Sequence, residues 1–233
     1  MGSVIGVLGG MGPMATVDLI QKIIENTSAQ KDQDHYQMIV YNNPKIPSRV
    51  GAILDNKESP LPELIKSARL VEAAGASFII IPCHTAHYWY NEIVAAINIP
   101  IYNLIEITAK YVVDTFDLNN DKLLIFATPA TIATSLYQQQ FRKYNYEIIV
   151  PTYEEQRVVT EVINQIKAGK LENNPELAAI NQIINRYKQQ GVSLLLAGCT
   201  EISILLPYIS GDVHKLNPLQ IIAEYIVKVV EIY

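Results

Sequence analysis

The chain has 233 residues, of which 49% are hydrophobic and 18% are charged. This composition excludes disordered and collagen-like proteins, and it can fill the core of one large domain or two smaller ones. The 18 lysines and arginines are outnumbered by 23 aspartates and glutamates. Because binding to nucleic acid or to an anionic membrane needs a basic surface, we expect neither partner and favour a small molecule.

The apolar segments are too short to cross a membrane, since a spanning helix needs about 18 or more consecutive apolar residues. The first residues show no basic segment followed by a long apolar one, so no signal peptide is expected. Two cysteines occur, Cys83 and Cys199, far fewer than a secreted disulfide-rich domain uses. The sequence therefore predicts a cytoplasmic protein whose thiols serve chemistry or plain burial.

Short apolar runs alternate along the chain with longer amphipathic stretches. The runs predict β-strands at residues 4–8, 37–41, 78–81, 123–127, 147–150 and 194–197. Helical patterns cover residues 61–74 and 175–190, each followed by a glycine, and residues 218–232. Buried strands that alternate with helices form parallel βαβ units, so the predicted fold class is α/β.

An internal repeat relates the two cysteines. Residues 75–83 (GASFIIIPC) align without a gap with residues 191–199 (GVSLLLAGC), and residues 4–16 resemble residues 123–134 more loosely. Each cysteine follows a helix, a glycine turn, a serine and a buried strand. We therefore predict two pseudo-symmetric α/β domains with parallel sheets. The first covers residues 1–99 and is joined by a C-terminal helical segment at 213–233, and the second covers residues 100–212.

Both cysteines are predicted to lie where open α/β sheets bind ligands, at the carboxyl end of a parallel strand. A helix starting there would lower the pKa of a thiol from about 8.5 and favour the thiolate. Halves related by a two-fold axis would direct both thiols into one cleft from opposite sides. A thiolate on one face of a carbon can then remove its proton while a thiol on the other face supplies a new one. This pattern favours racemisation or epimerisation over two merely buried thiols.

Four segments resemble the PLP-independent aspartate/glutamate racemase family, and within it the aspartate racemase branch. They are residues 6–16 (GVLGGMGPMAT), 42–49 (NNPKIPSR), 82–87 (PCHTAH) and 197–201 (AGCTE). The resemblance implies two α/β domains with the active site in the interdomain cleft. It also implies racemisation of aspartate without metal or cofactor, with Cys83 and Cys199 as the acid/base pair, and often a homodimer. The family usually has asparagine after the first cysteine, whereas this chain has His84, which leaves the preference for aspartate or glutamate open.

The resemblance also implies substrate-binding residues. Arg49, whose guanidinium can hold a carboxylate through two hydrogen bonds, and Lys167 are expected at the distal carboxylate. Glu201 is expected to orient a thiol or the substrate ammonium. The other expected substrate contacts are Met11, Asn43, His84, Thr85, Thr128 and Thr200.

Other functions were weighed against these motifs. Residues 10–15 (GMGPMA) match a dinucleotide-binding fingerprint, but the following strand carries no acidic residue for a ribose and Pro13 removes one amide donor. We therefore expect the glycines to let the backbone approach a small substrate instead. A zinc site could use the side chains of Cys83, His84, His87 and Cys199, but they lack the paired spacing usual for zinc ligands. We expect His87 instead to hold its loop through a hydrogen bond. A maleate isomerase-like enzyme and a non-catalytic zinc- or nucleotide-binding module remain as alternatives.

Overall fold

A computed structural model, which describes residues 3–171 and 174–232, contains two compact α/β units. Unit 1 comprises Met1–Thr108 and Leu219–Tyr233, and unit 2 comprises Ala109–Pro218. The sequence analysis set the corresponding limits at 99/100 and 212/213, and its terminal residues 1, 2 and 233 lie outside the described residues. All the described strands pair in parallel, which confirms the predicted α/β fold class.

Unit 1 is built on a four-stranded sheet with the order β2-β1-β3-β4. Its elements are β1 (Ile5–Gly9), α1 (Pro13–Asn26), β2 (Met38–Asn42), α2 (Arg49–Leu54), α3 (Leu61–Ala73), β3 (Phe78–Ile80), α4 (Tyr90–Val94) and β4 (Ile101–Tyr102). Helix α5 (Leu104–Thr115) starts in unit 1, and its residues from Ala109 onwards belong to unit 2. The sequence prediction missed β4, because a strand of 2 residues gives no alternating pattern.

Both faces of this sheet are covered by helices. Val7 of β1 lies in a buried cluster with Leu19 of α1, whereas the next residue, Leu8, lies in a second cluster with Leu64 of α3. Successive side chains of a strand point to opposite faces, so β1 contributes to a core on each side. This double burial explains why the strands read as continuous apolar runs.

Unit 2 contains a parallel sheet with the order β5-β6-β7. Its elements are β5 (Lys122–Ala127), α6 (Pro129–Ala133), α7 (Leu136–Arg142), α8 (Tyr153–Lys167), α9 (Leu177–Gln189), β6 (Val192–Gly198), α10 (Thr200–Leu205) and β7 (His214–Leu216). Val162 of α8 and Ile184 of α9 pack in one buried cluster with Leu195 of β6.

The strand predicted at residues 147–150 is wrong as a full strand. Ile149 forms a single parallel bridge to Leu124, in which its N–H donates to Leu123 O at 2.8 Å and its carbonyl accepts from Ile125 N at 3.0 Å. The segment lies beside β5, where it pairs on one side through one residue. Its apolar pattern reflects burial of Ile148, which is 9% exposed.

The repeated sequence has a repeated structure. Gly75 ends α3 at φ +101° and Gly191 ends α9 at φ +91°, a left-handed conformation that glycine adopts without steric penalty. Two positions later, Ser77 accepts a hydrogen bond from Val4 N at 3.0 Å and Ser193 donates one to Asp121 at 2.7 Å. Each serine therefore ties the start of its strand to the segment before the neighbouring strand.

The C-terminal helix α11 (Pro218–Ile232) packs within unit 1. Its Leu219, Ile222 and Ile226 belong to the buried cluster that contains Val7. The residues before it form β7 and belong to unit 2. Among the described residues, no helix combines the length and the apolar character needed to cross a membrane.

Candidate active site

Cys83 lies just past the carboxyl end of β3 in unit 1. Its side chain is 6% exposed and belongs to the same buried cluster as Met11, which follows β1. Strands β1 and β3 are neighbours in the sheet, so their carboxyl ends bring Met11 and Cys83 to the same edge. The structure thus places these two predicted site residues together.

The segment after Cys83 contains two buried neutral histidines. Burial, and secondarily the charge of His87, lowers the pKa of His84 from 6.5 to about 3, and burial lowers the pKa of His87 to about 4. Nδ1 of His87 lies 2.8 Å from the Cys83 carbonyl oxygen, which confirms that His87 holds this loop. The helix expected to start at the end of the Cys83 strand is a 3-10 helix, Thr85–Trp89, which leads into α4. Thr85 itself is 5% exposed.

The glycine turn after β1 packs closely against the backbone of the loop after β2. Gly10 has φ +96°, and a Cβ there would lie 2.3 Å from the carbonyl carbon of Asn43. Its N–H donates to Thr16 Oγ1 at 2.9 Å. Position 10 therefore requires glycine, because the Asn43 backbone occupies the space that a side chain would need.

Asn43 and Arg49 shape the loop that follows β2. Asn43 is 8% exposed, and its Oδ1 accepts a hydrogen bond from Lys45 N at 3.0 Å. Nη1 of Arg49 donates to the carbonyls of Ile46 at 3.0 Å and Pro47 at 2.9 Å. Within residues 3–171 and 174–232, Nε and Nη2 of Arg49 make no hydrogen bond. The guanidinium is thus fixed by one nitrogen and keeps its other edge free among the described residues.

Arg49 also starts the helix that contacts the cysteine segment. Ser48 caps α2 by accepting a hydrogen bond from Gly51 N at 3.1 Å. Helix α2 packs against the 3-10 helix Thr85–Trp89. Unit 1 therefore gathers the predicted residues Met11, Asn43, Arg49, Cys83, His84 and Thr85 around the carboxyl ends of β1, β2 and β3.

In unit 2, Cys199 directly follows β6 and precedes α10. Its thiol donates a 2.8 Å hydrogen bond to Glu201 Oε2, which also accepts from Thr200 Oγ1 at 3.2 Å. All three residues are buried, with exposures of 6%, 6% and 2% for Cys199, Glu201 and Thr200. The structure thus joins these three predicted residues in one polar cluster.

The thiolate expected at Cys199 is not favoured. Burial, followed by the negative charge of Glu201, raises the pKa of Cys199 well above its ordinary value, while the Lys167 ammonium acts in the opposite direction. The sequence argument considered the helix N-terminus, but α10 spans only Thr200–Leu205 and a buried carboxylate lies against the sulfur. Cys199 is consequently a protonated thiol at neutral pH.

Lys167 and Thr128 are the remaining predicted residues. Lys167 is an exposed residue in the last turn of α8, close enough for its charge to act on Cys199. Thr128 caps α6 through Thr131 N at 3.1 Å and directly follows Ala127, which pairs with Gly198 in the β5/β6 register. Thr128 and Cys199 therefore follow paired positions on adjacent strands.

The sequence analysis did not single out Gln156 of α8. Its Nε2 donates to Ala127 O at 3.0 Å, and with Thr160 and Pro129 it lines a groove of about 700 Å³. Gln156 therefore ties α8 to the carboxyl end of β5 in unit 2.

Comparison with known proteins decides the family. Residues 8–226 match the family described as Asp/Glu/Hydantoin racemase. The chain belongs to this racemase family. It is 28% identical to the broad specificity amino-acid racemase RacX of Bacillus subtilis (strain 168) over 213 residues, which cover 90% of each chain.

Solved structures of the racemase fold are similar over nearly the whole chain. The Picrophilus torridus aspartate racemase is 30% identical, with a TM-score of 0.84 covering 99% of this chain and 95% of that one. The glutamate racemase isoform RacE1 from Bacillus anthracis is 16% identical, with a TM-score of 0.73 covering 98% and 82%, a likeness of fold alone. Membership of this family supports the assignment of the chain as an amino-acid racemase, which is an isomerase that acts on small substrates.

The metal alternative finds little support in the contacts of His87. Both of its ring nitrogens are engaged by main-chain groups, Nδ1 at Cys83 O and Nε2 at Leu104 N, so neither nitrogen is available to bind an ion. In the part of the chain that the structure describes, no three His, Cys, Asp or Glu side chains form a group able to hold a metal.

Proposed function

We propose that this racemase interconverts L- and D-aspartate without a cofactor, with Cys83 and Cys199 as the two acid/base residues. The observation that carries the proposal is the repeated structure around the two thiols. A helix ended by a left-handed glycine, a tethering serine and a parallel strand precede a buried cysteine in each unit. Such duplication supplies two proton carriers at equivalent positions of the two units, and a two-base inversion needs two.

The chemistry divides between the cysteines. In one direction the Cys83 thiolate removes the α-proton, the electron pair stays on the substrate carbon and carboxylate, and the Cys199 thiol delivers its proton to the opposite face. The reverse reaction exchanges the roles. The hydrogen bond to Glu201 supports Cys199 as the acid of the resting enzyme, and the family resemblance assigns removal of the proton of the D-enantiomer to Cys83.

Binding of the substrate rests on charge complementarity. Arg49, with its free edge, and Lys167 are proposed to bind the distal carboxylate. Asn43, Thr85, Thr128 and Thr200 are proposed to bind the α-carboxylate and ammonium groups, and Met11 and His84 to limit the space. The division of the site between the two units is part of this proposal.

A broader amino-acid specificity is the second candidate. His84 replaces the asparagine usual in the family, and its buried ring, 2% exposed, is neutral. A bulky neutral group beside Cys83 changes the shape of the substrate site without adding charge. The similarity to the RacX enzyme, named for its broad specificity, points the same way.

Chiral chromatography of single enantiomers tests the proposal. Purified protein is incubated with L- and D-aspartate, L-glutamate and L-alanine, alongside Cys83→Ser and Cys199→Ser. We expect aspartate to racemise in both directions and either substitution to abolish the reaction. Conversion of no amino acid, or near-wild-type conversion by either variant, would contradict the proposal. Alanine converted as well as aspartate would favour the second candidate.

A further inference from the structure

The imidazole of His87 connects two backbone groups that are distant in sequence. Leu104 N–H donates to Nε2 at 3.2 Å, so Nε2 carries no hydrogen. A neutral ring then carries its hydrogen on Nδ1, and Nδ1–H donates to the Cys83 carbonyl at 2.8 Å. Both nitrogens of a ring that is 5% exposed are therefore used.

The bond to Leu104 completes the first turn of α5. Asn103 Oδ1 accepts from the N–H groups of Ile105 at 3.0 Å and Glu106 at 3.2 Å, and the Asn103 carbonyl accepts from Ile107 N at 3.0 Å. The N–H groups at a helix start lack intrahelical partners. His87 supplies the partner for Leu104, so the start of α5 also fixes the ring.

Further contacts hold the ring in place. His87 N donates to His84 O at 3.0 Å, and the imidazole stacks on Tyr90 at 6.0 Å between centroids and 6° between planes. Tyr90 is held in turn by a 2.8 Å hydrogen bond from its hydroxyl to Ile101 O. The Cys83 carbonyl thus points at a donor that can move little.

We propose that His87 is a positioning residue for Cys83, in which its Nδ1–H orients the cysteine backbone and so the direction of the thiol. This role rests on the proposed function, because it assumes that Cys83 exchanges a proton with substrate. A displacement of about 1 Å of a reacting group can lower a rate by ~10²-fold. His87 acts through Cys83 and does not touch the substrate in this proposal.

A matched pair of variants separates positioning from folding. An asparagine amide can place an N–H near the position of Nδ1, so His87→Asn keeps the donor to Cys83 and loses the acceptor for Leu104. A glutamine amide can place an oxygen near Nε2, so His87→Gln does the reverse. Each variant loses one hydrogen bond, and thermal unfolding checks that the two variants lose a similar amount of stability. Tyr88→Phe, at a 50% exposed tyrosine of the same 3-10 helix, is the control for a change in this segment.

Steady-state kinetics with aspartate then measure the role. We expect His87→Gln to lower kcat by ~10- to 100-fold with little change in KM, and His87→Asn and Tyr88→Phe to stay within a few-fold of wild type. Nitrogen-15 NMR of the histidine rings should show the Nδ1–H tautomer for His87. An Nε2–H tautomer, or a kcat in His87→Gln equal to that in His87→Asn, would overturn the positioning role. Absence of racemisation in wild type would instead overturn the proposed function.

Discussion

The Cys199 thiol donates a 2.8 Å hydrogen bond to the Glu201 carboxylate inside unit 2. Burial is the largest cause of the raised pKa of Cys199, and the carboxylate raises it further through its charge and this hydrogen bond. A thiol kept protonated in this way can donate a proton, but it must first lose that proton before it can remove one from the substrate. The contact thus gives Cys199 a resting role different from that of a reactive thiolate.

Substitution Glu201→Gln should lower the pKa of Cys199, because the negative charge beside the sulfur is removed. Thiolate absorbance near 240 nm, followed against pH in a Cys83→Ala background, measures this pKa directly. Glu154→Gln, a change at an exposed position in α8, is the control and should leave it unchanged. An unchanged or higher pKa in Glu201→Gln would show that another group holds the proton on Cys199.

Substitution Lys167→Met should raise the pKa of Cys199 further, since Lys167 is the cation that favours the thiolate. The same substitution should increase KM for aspartate if the ammonium binds the distal carboxylate. Lys170→Met changes another exposed lysine and should affect neither quantity. A Lys167→Met protein with the wild-type KM would remove Lys167 from the proposed carboxylate site.

Arg49 should determine discrimination between dicarboxylates. A mismatch of one methylene changes the transition-state free energy by ~1 to 3 kcal/mol, so aspartate should exceed glutamate in kcat/KM by ~10- to 200-fold. Arg49→Lys should lose much of this ratio, because an ammonium cannot form the two parallel hydrogen bonds. The control is Arg69→Lys, at an exposed residue of α3. Glutamate preferred by wild type would reverse the substrate assignment. An unchanged aspartate-to-glutamate ratio of kcat/KM in Arg49→Lys would exclude binding of the distal carboxylate by Arg49 through two hydrogen bonds.

The buried histidines should make folding sensitive to acid. His84 and His87 have pKa values of about 3 and about 4 in the folded chain, against 6.5 for an ordinary histidine. Between pH 4 and pH 6.5 the unfolded chain binds protons that the folded chain does not. The contribution of the two neutral histidines to the free energy of unfolding is therefore fully present above pH 6.5 and falls as the pH is lowered towards 4. Each histidine contributes a slope of about 1.4 kcal/mol per pH unit.

Urea unfolding at several pH values between 7 and 4 measures this slope. His87→Asn should show a shallower dependence, because its amide does not titrate. An identical dependence in wild type and variant would mean that His87 is protonated in the folded chain, contrary to its hydrogen bond from Leu104 N.

The repeat was the strongest source of correct prediction, because it encodes local structure twice. Gly75 and Gly191 ended helices in both copies, and the cysteines followed the strands as predicted. Short elements such as β4 escaped prediction, since 2 residues carry no period. A strand was wrongly predicted around Ile149 because the segment is apolar through burial and not through strand pairing.

The ionisation of Cys199 could not be inferred from its neighbours in sequence alone. Glu201 was recognised as a candidate, but whether its carboxylate would lie against the sulfur or face solvent depends on packing around α10. Gln156 was not singled out because its hydrogen bond to Ala127 O forms only when α8 packs beside the end of β5. Such contacts arise from tertiary structure, which no local pattern specifies.

Deuterium incorporation at Cα tests the two-thiol mechanism most directly. Wild-type protein is incubated with L-aspartate in D₂O, and the two enantiomers are separated at early times and analysed by mass spectrometry. The account predicts that the D-aspartate formed carries deuterium while the remaining L-aspartate stays largely protiated, because the proton leaves to one group and the new one comes from another. Equal deuteration of substrate and product, or product that retains the original proton, would indicate a single base and contradict the account.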